Sequence, residues 1–236
     1  MKLVIMQPYL FPYVGYFQLL AAADRFVVYD DVQFIKGGWI NRNRLLVNGQ
    51  PWLFTVPLDQ PSPNRLISDI ELRTAAAWQP RLLQTIAQNY RRAPCFEVVY
   101  GLIQEIFSAE AHTIADLVRA SLRVLIQYLE LSVELILTSS VYGNVSLRAQ
   151  ARVLDICRCE GATNYINAMG GRTLYDSYTF QQAGVTLQFI QPELAAYPQQ
   201  GKQQGFVAGL SIIDLLMNNS RVEAQRLIQH YSLLKT

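Results

Sequence analysis

Asp30 and Asp31 stand side by side at the end of an apolar run, and Lys36, Arg42 and Arg44 follow closely. A carboxylate at a strand end can hold Mg²⁺ or act as a general base toward an amine acceptor. Lys36 precedes Gly37-Gly38, and cations beside glycine amides suit phosphate or carboxylate recognition. The chain has four lysines, with Lys2 and Lys235 near its ends, so Lys36 stands out. Asn41 and Asn43 carry both donors and acceptors and could orient an acceptor, with Trp39 among them. Taken singly, each residue of the stretch from Lys36 to Arg44 reads better as part of a solvated cationic loop.

Three further clusters could join this chemistry. Gln7, Tyr9, Tyr13, Gly15 and Tyr16 lie where a first strand would give way to a first helix. Ligands of open α/β sheets bind at that edge, where the helix N-terminus offers unpaired N–H groups to an anion. The plainer alternative is a stiff loop packed by its tyrosines and prolines. Asn167, Gly170, Gly171 and Arg172 repeat the pattern of strand, glycines, cation and helix. Ser211 and Asp214 follow a long polar stretch, where starting a helix is their simplest role.

These residues need elements to position them. Residues 3–6 and 25–29 are short apolar runs, the pattern of strands covered on both faces. Pro8 and Pro12 force a loop after the first, and a helix from Gly15 to about Asp24 completes a βαβ unit. Asn48-Gly49 between Arg44-Leu45-Leu46-Val47 and Trp52-Leu53-Phe54-Thr55-Val56 predicts a hairpin with a type I′ turn. Residues 57–64 are a proline-rich loop, and 67–72 alternate like a strand with one wet face.

Long helices are predicted over 76–91 and 96–130, the second breaking near His112-Thr113, where the threonine can cap a new helix. A strand over 133–137 is followed by a helix over 146–160, capped by Ser146 and stopped by Gly161. Strands over 164–167 and 185–190 flank a Gly170-Gly171 loop and a short helix over 175–183. Residues 191–209 read as a loop, and 210–217 and 221–234 as closing helices. The fold class is α/β, with βαβ halves at both ends. The core spans about 1–45 and 131–220, and a hairpin and helical block over about 46–130 is inserted between them.

Composition bounds the function. Hydrophobic residues make up 51% of the 236 and charged residues 16%, which excludes a disordered chain. A net charge of +2 is too small for a nucleic-acid partner. The two histidines, His112 and His230, are far apart, so a histidine dyad is not expected. The three cysteines, Cys95, Cys157 and Cys159, form no C-x-x-C pair, so neither a disulfide framework nor a zinc site is supported and no metal ligand set is assigned. No apolar stretch reaches the roughly 18 residues that a membrane span needs. The expected location is the cytoplasm.

The blocks Gln7-Pro8-Tyr9-Leu10-Phe11-Pro12-Tyr13-Val14-Gly15-Tyr16-Phe17-Gln18-Leu19, Asp30-Asp31-Val32-Gln33-Phe34-Ile35-Lys36, Trp39-Ile40-Asn41-Arg42-Asn43-Arg44, Tyr165-Ile166-Asn167 with Gly170-Gly171-Arg172, and Leu210-Ser211-Ile212-Ile213-Asp214 resemble the WbqC-like protein family. The resemblance covers essentially the whole chain and implies a single domain. It links the chain to bacterial surface-polysaccharide (O-antigen, lipopolysaccharide) biosynthesis, with transfer of glycine or a similar group to an amino sugar as the suggested role.

A more remote similarity places Tyr13-Val14-Gly15-Tyr16 where nucleotidyltransferases and class I aminoacyl-tRNA synthetases carry His-x-Gly-His. It implies a Rossmann-like nucleotide-binding sheet flanked by helices. Both histidines are tyrosines here, and a tyrosine carries no cation at pH 7. On this reading Tyr13, Gly15 and Tyr16 line a phosphate loop and Lys36, Arg42, Arg44 or Arg172 neutralise charge. Asp30 or Asp31 serves Mg²⁺ or the acceptor. The implied ligand is a small anion, a nucleotide or a nucleotide-linked amino sugar, with ATP and Mg²⁺ as the candidate cofactor and oligomeric state left open. The alternatives are a plain nucleotidyltransferase and a non-catalytic module that holds a nucleotide sugar or a partner enzyme.

Overall fold

A computed structural model describes residues 1–200 and 205–235. The first strand, β1 (Lys2–Met6), buries Leu3, Val4 and Ile5 and sits inside the sheet, parallel to a strand on either side. Helix α1 (Val14–Ala22) carries the chain over to β2 (Arg25–Val28). The hairpin β3 (Arg42–Val47) and β4 (Gln50–Thr55) forms a separate two-stranded sheet. Its Asn48 and Gly49 have φ of 50° and 77°, the left-handed pair that a type I′ turn requires.

Helices α2 (Gln79–Tyr90), α3 (Phe96–Ser108) and α4 (Ile114–Tyr128) follow, and Thr113 caps α4 in a capping box with Asp116. Then come β5 (Glu134–Ile136), α5 (Ala149–Glu160), β6 (Asn164–Ala168), α6 (Ser177–Gln182) and β7 (Thr186–Pro192). The last elements are α7 (Ile212–Asn218), α8 (Arg221–Ile228) and β8 (Tyr231–Lys235).

The main sheet runs β5-β2-β1-β6-β7-β8, parallel except for β8, which is antiparallel to β7. From β1 the chain first builds outward through β2 and β5, then on the other side through β6 and β7. The direction reverses between β1 and β6, and the carboxyl ends of those strands open the crevice where doubly wound sheets bind ligands. Alternation sorts the side chains onto two faces. Val4, Phe26, Val28, Ile166 and Ile190 pack with α1, the inserted helices α2–α4, α7 and α8. Leu3, Ile5, Val27, Tyr165, Leu187 and Phe189 pack under α5 and α6. The α/β class and the hairpin excursion are as the sequence predicts, and the inserted helices share the core of α1.

Four expectations are corrected. Residues 67–72 are not a strand: Ile67–Asp69 is a 3₁₀ turn, which buries Ile67 and Ile70 together because residues three apart eclipse in that geometry. The helix expected from Ser146 begins at Ala149, with Ser146 in the preceding turn. Gly170 and Gly171 lie in a 3₁₀ helix, Met169–Leu174, in place of an open loop. Residues 221–234 are not one helix. Buried Gln18 of α1 donates to the carbonyls of Leu227, His230 and Glu193, which ends α8 and lets β8 pair with β7. Among the described residues no helix is long and apolar enough to cross a membrane.

Candidate functional site

A cavity of about 310 Å³ lies between the loop after β1, the start of the hairpin and the segment before α7. Tyr9, Pro12, Tyr13, Trp39, Asn43, Arg44 and Gly209 line it, with no carboxylate and no imidazole among them. Proline at 12 keeps the loop out of helix, and its carbonyl accepts from the Ile212 amide at 2.8 Å, tying the loop to the start of α7. Three aromatic rings and one arginine contribute to its wall.

Arg44 is the charge in that wall. It gives one N–H to the Gly209 carbonyl at 3.0 Å, while its buried Nε has no hydrogen-bond partner. No carboxylate pairs with it among the described residues. Its Cζ lies 5.7 Å from the Trp39 ring centroid, and Arg42 lies 5.8 Å from the same ring. Arg42 donates Nε–H to the Gly38 carbonyl at 2.8 Å. Buried Asn43 donates to the carbonyls of Phe11 at 2.8 Å and Leu10 at 3.3 Å, fastening the aromatic loop to β3.

The other residues of the first cluster are placed elsewhere. Lys36 is exposed outside the lining, and Asn41 is spent on the Val56 carbonyl at 2.8 Å. Asp30, fully buried, accepts from the guanidinium of Arg119, from Thr138 Oγ1 at 2.8 Å and from the Ser139 amide at 3.2 Å. Asp31 accepts from Ser139 Oγ and from Arg152, which also lies 4.9 Å over the Tyr29 ring. Both carboxylates tie β2 to α4 and α5. Their oxygens are taken up by protein donors and do not fit Mg²⁺.

The two tyrosines at the His-x-Gly-His positions part company. Tyr16 is buried, gives its hydroxyl to the Gln7 carbonyl at 2.9 Å and packs against Tyr9 and Phe26. Tyr13 lies over Gly15: a Cβ there would meet the phenol ring at 2.5 Å. The start of α1 is therefore roofed by a ring, which leaves a phosphate no clear approach. Burial pushes the phenols of Tyr9, Tyr13 and Tyr16 above their ordinary pKa, so all three are neutral donors near pH 7.

Neither Gly170 nor Gly171 has a positive φ among the described backbone angles. Gly171 is small because the Asn167 amide packs on it, 2.9 Å from where a Cβ would stand. Asn167 accepts from the Ala168 amide at 2.7 Å and donates to the Tyr165 hydroxyl at 3.1 Å, and Arg172 is exposed without an ion pair among the described residues. Ser211 caps α7 and donates to the Phe11 carbonyl at 2.8 Å. Asp214 is buried and accepts from Tyr90, Tyr197 and Gln199, with no cation among its hydrogen-bond partners. Burial raises its pKa, and the three donors oppose that rise.

Sequence reasoning missed Pro12 and Gly209 in the lining, and Arg119 and Arg152 as the partners of the aspartates. A glycine just before Leu210 was the one local signal for the second. Nothing local marks which of many arginines reaches Asp30.

The sheet with its switch between β1 and β6, and the pocket lined by aromatic rings and Arg44 beside it, define a Rossmann-like α/β protein. The chain belongs to the WbqC-like protein family, which it matches over residues 7–226. It is similar to the uncharacterized protein Rv1507c of Mycobacterium tuberculosis, 28% identical over 220 residues, which cover 92% of this chain and 93% of that protein. No solved structure matches it.

Proposed function

We propose that this protein takes a small anionic substrate, a nucleotide-linked amino sugar or the anionic half of one, in the Tyr9–Tyr13–Trp39–Arg44 pocket. It would act in bacterial surface-polysaccharide assembly, transferring a small acyl or aminoacyl group to the sugar. The observation that carries the reading is Arg44: a buried, unpartnered Nε–H on a guanidinium without a carboxylate, set in an aromatic wall. A guanidinium that lines a cavity without a carboxylate partner can pair with an incoming carboxylate or phosphate oxygen. The cavity, about 310 Å³, is near the lower end of ligand pockets and suits one ring and its anionic substituent.

Calorimetry against UDP-N-acetylglucosamine, and against ATP with and without Mg²⁺, tests the reading. Arg44→Gln should weaken binding by about 1–3 kcal/mol. Equal affinity in the variant, or no binding by the native chain, would sink it. A second reading, a non-catalytic module that holds such a ligand for a partner enzyme, is favoured by the lining itself, which contains no general acid or base beyond two neutral phenols. Binding without turnover across acyl and nucleotidyl donors would select the module.

A further inference from the structure

We infer that Asp214 is a positioning residue for the Arg44 anion site: it pins the segment before α7, whose Gly209 carbonyl orients the guanidinium. The inference rests on the pocket being an anion site. Tyr197 Oη and Gln199 Nε2 both donate to Asp214 Oδ2, at 2.8 and 2.9 Å. Gln199 then clasps the returning limb, donating to the Val207 carbonyl at 3.0 Å and accepting from the Val207 amide at 2.9 Å. Tyr197 and Phe206 add a ring contact between the same two limbs, centroids 5.0 Å apart.

Two residues past Val207 comes Gly209, with φ of 67°. Its carbonyl takes the Arg44 N–H at 3.0 Å, and a Cβ on it would stand 3.2 Å from Arg44 Nη2. The other carboxylate oxygen of Asp214 accepts from Tyr90 Oη at 2.8 Å, and that hydroxyl accepts from the Leu46 amide at 2.8 Å. One buried carboxylate thus fixes both β3, which carries Arg44, and the carbonyl that aims it. A carboxylate is suited to this: it accepts from several donors at once and offers none, whereas an amide in its place would turn an N–H toward other N–H or O–H groups.

The groups facing Asp214 are the Tyr90 phenol from α2 and the Tyr197 phenol and Gln199 amide from the pinned segment. On its own helix Asn218 binds only its backbone carbonyl, and the neighbouring β3 carries two cations, Arg42, which donates to the Gly38 carbonyl, and Arg44, which donates to the Gly209 carbonyl. Protonating Asp214 adds a donor where every neighbour already donates, so it should loosen the segment.

The test uses sulfate, which keeps its charge across the working range, titrated calorimetrically into the full chain. Asp214→Asn should lower sulfate affinity roughly fivefold or more, as for one lost charged hydrogen bond, and Tyr197→Phe should lower it in the same direction while removing one hydroxyl. In an Arg44→Gln background, Asp214→Asn should cause no further loss, although its effect on thermal stability persists. Native affinity should fall as pH is lowered toward the raised pKa of Asp214, and Asp214→Asn should flatten that profile. If the native chain binds sulfate and both variants bind it equally well, the inference fails while the pocket reading stands. An equal loss in the Arg44→Gln background would reduce Asp214 to a structural role and overturn it too. If the native chain binds no sulfate, the pocket reading fails and takes the inference with it.

Discussion

The Arg44 guanidinium lies near the Trp39 indole, Cζ to centroid 5.7 Å, and Trp39 is 41% exposed. Arg42 shares that ring from two residues away on β3, on the same strand face. Both guanidiniums lie within cation–π range of the indole, which helps hold them in place beside the pocket. Trp39→Ala should therefore weaken binding of an anionic ligand by about 0.5–2 kcal/mol, and Trp39→Phe by less. Calorimetry on the three proteins measures this. Identical affinities would show that the indole is not part of the wall.

The Asp31–Arg152 pair makes a different prediction, because both side chains are 5% exposed. Breaking one side of a buried pair leaves the other charge unpaired, at about 3–5 kcal/mol. Asp31→Ala should lower the urea midpoint strongly, and Asp31→Leu with Arg152→Met should recover much of the loss. Full stability combined with lost activity in Asp31→Ala would instead make Asp31 a working base.

The pairing of carboxylates with arginines marks the limit of what the sequence could tell. Pattern and punctuation placed most elements: Asn48-Gly49 gave away the hairpin, and Thr113 the break between α3 and α4. These signals are local, so they survive without knowledge of the fold. The last strand was hidden because Leu227, Ile228, Leu233 and Leu234 mimic a helical stripe, and what ends α8 is Gln18, far away in the chain. The pocket was half legible for the same reason. Tyr9, Tyr13, Trp39, Asn43 and Arg44 sit close together in sequence, whereas Gly209 arrives through contacts of the α7 segment with the loop after β1. At Asp30 and Asp31 the sequence shows two adjacent carboxylates, and nothing local reveals their partners Arg119 and Arg152.

Gly15 owes its identity to Tyr13. The phenol occupies the space a Cβ would need, at 2.5 Å, so Gly15→Ala must displace the ring. The atoms met are the far end of a half-buried side chain, which can swing aside at little cost to stability. The variant should melt close to the native chain but bind ligand less well, because Tyr13 lines the cavity. A Gly15→Ala protein with native affinity would show that the position of the ring does not matter to the pocket.

The capping box at the start of α4 gives a pH dependence with a definite sign. Burial alone would raise the pKa of Asp116 above its ordinary 3.8, but the Thr113 amide and hydroxyl and the Arg119 guanidinium outweigh it, and the net shift is downward. The native state therefore keeps Asp116 ionised at a pH where the unfolded chain has begun to protonate. Its contribution is complete above 3.8 and is lost as pH falls through the lower, folded-state value. Thr113→Ala should cost about 1 kcal/mol near neutral pH, the usual effect of losing a cap. The stability gap between the native chain and Asp116→Asn, read from urea midpoints, should hold constant from neutral pH down to about 4 and narrow below it. Because Arg119 also serves Asp30, the gap should exceed that of an isolated cap. A gap that stays the same well below 3.8 would mean that Asp116 is not stabilised in its ionised form.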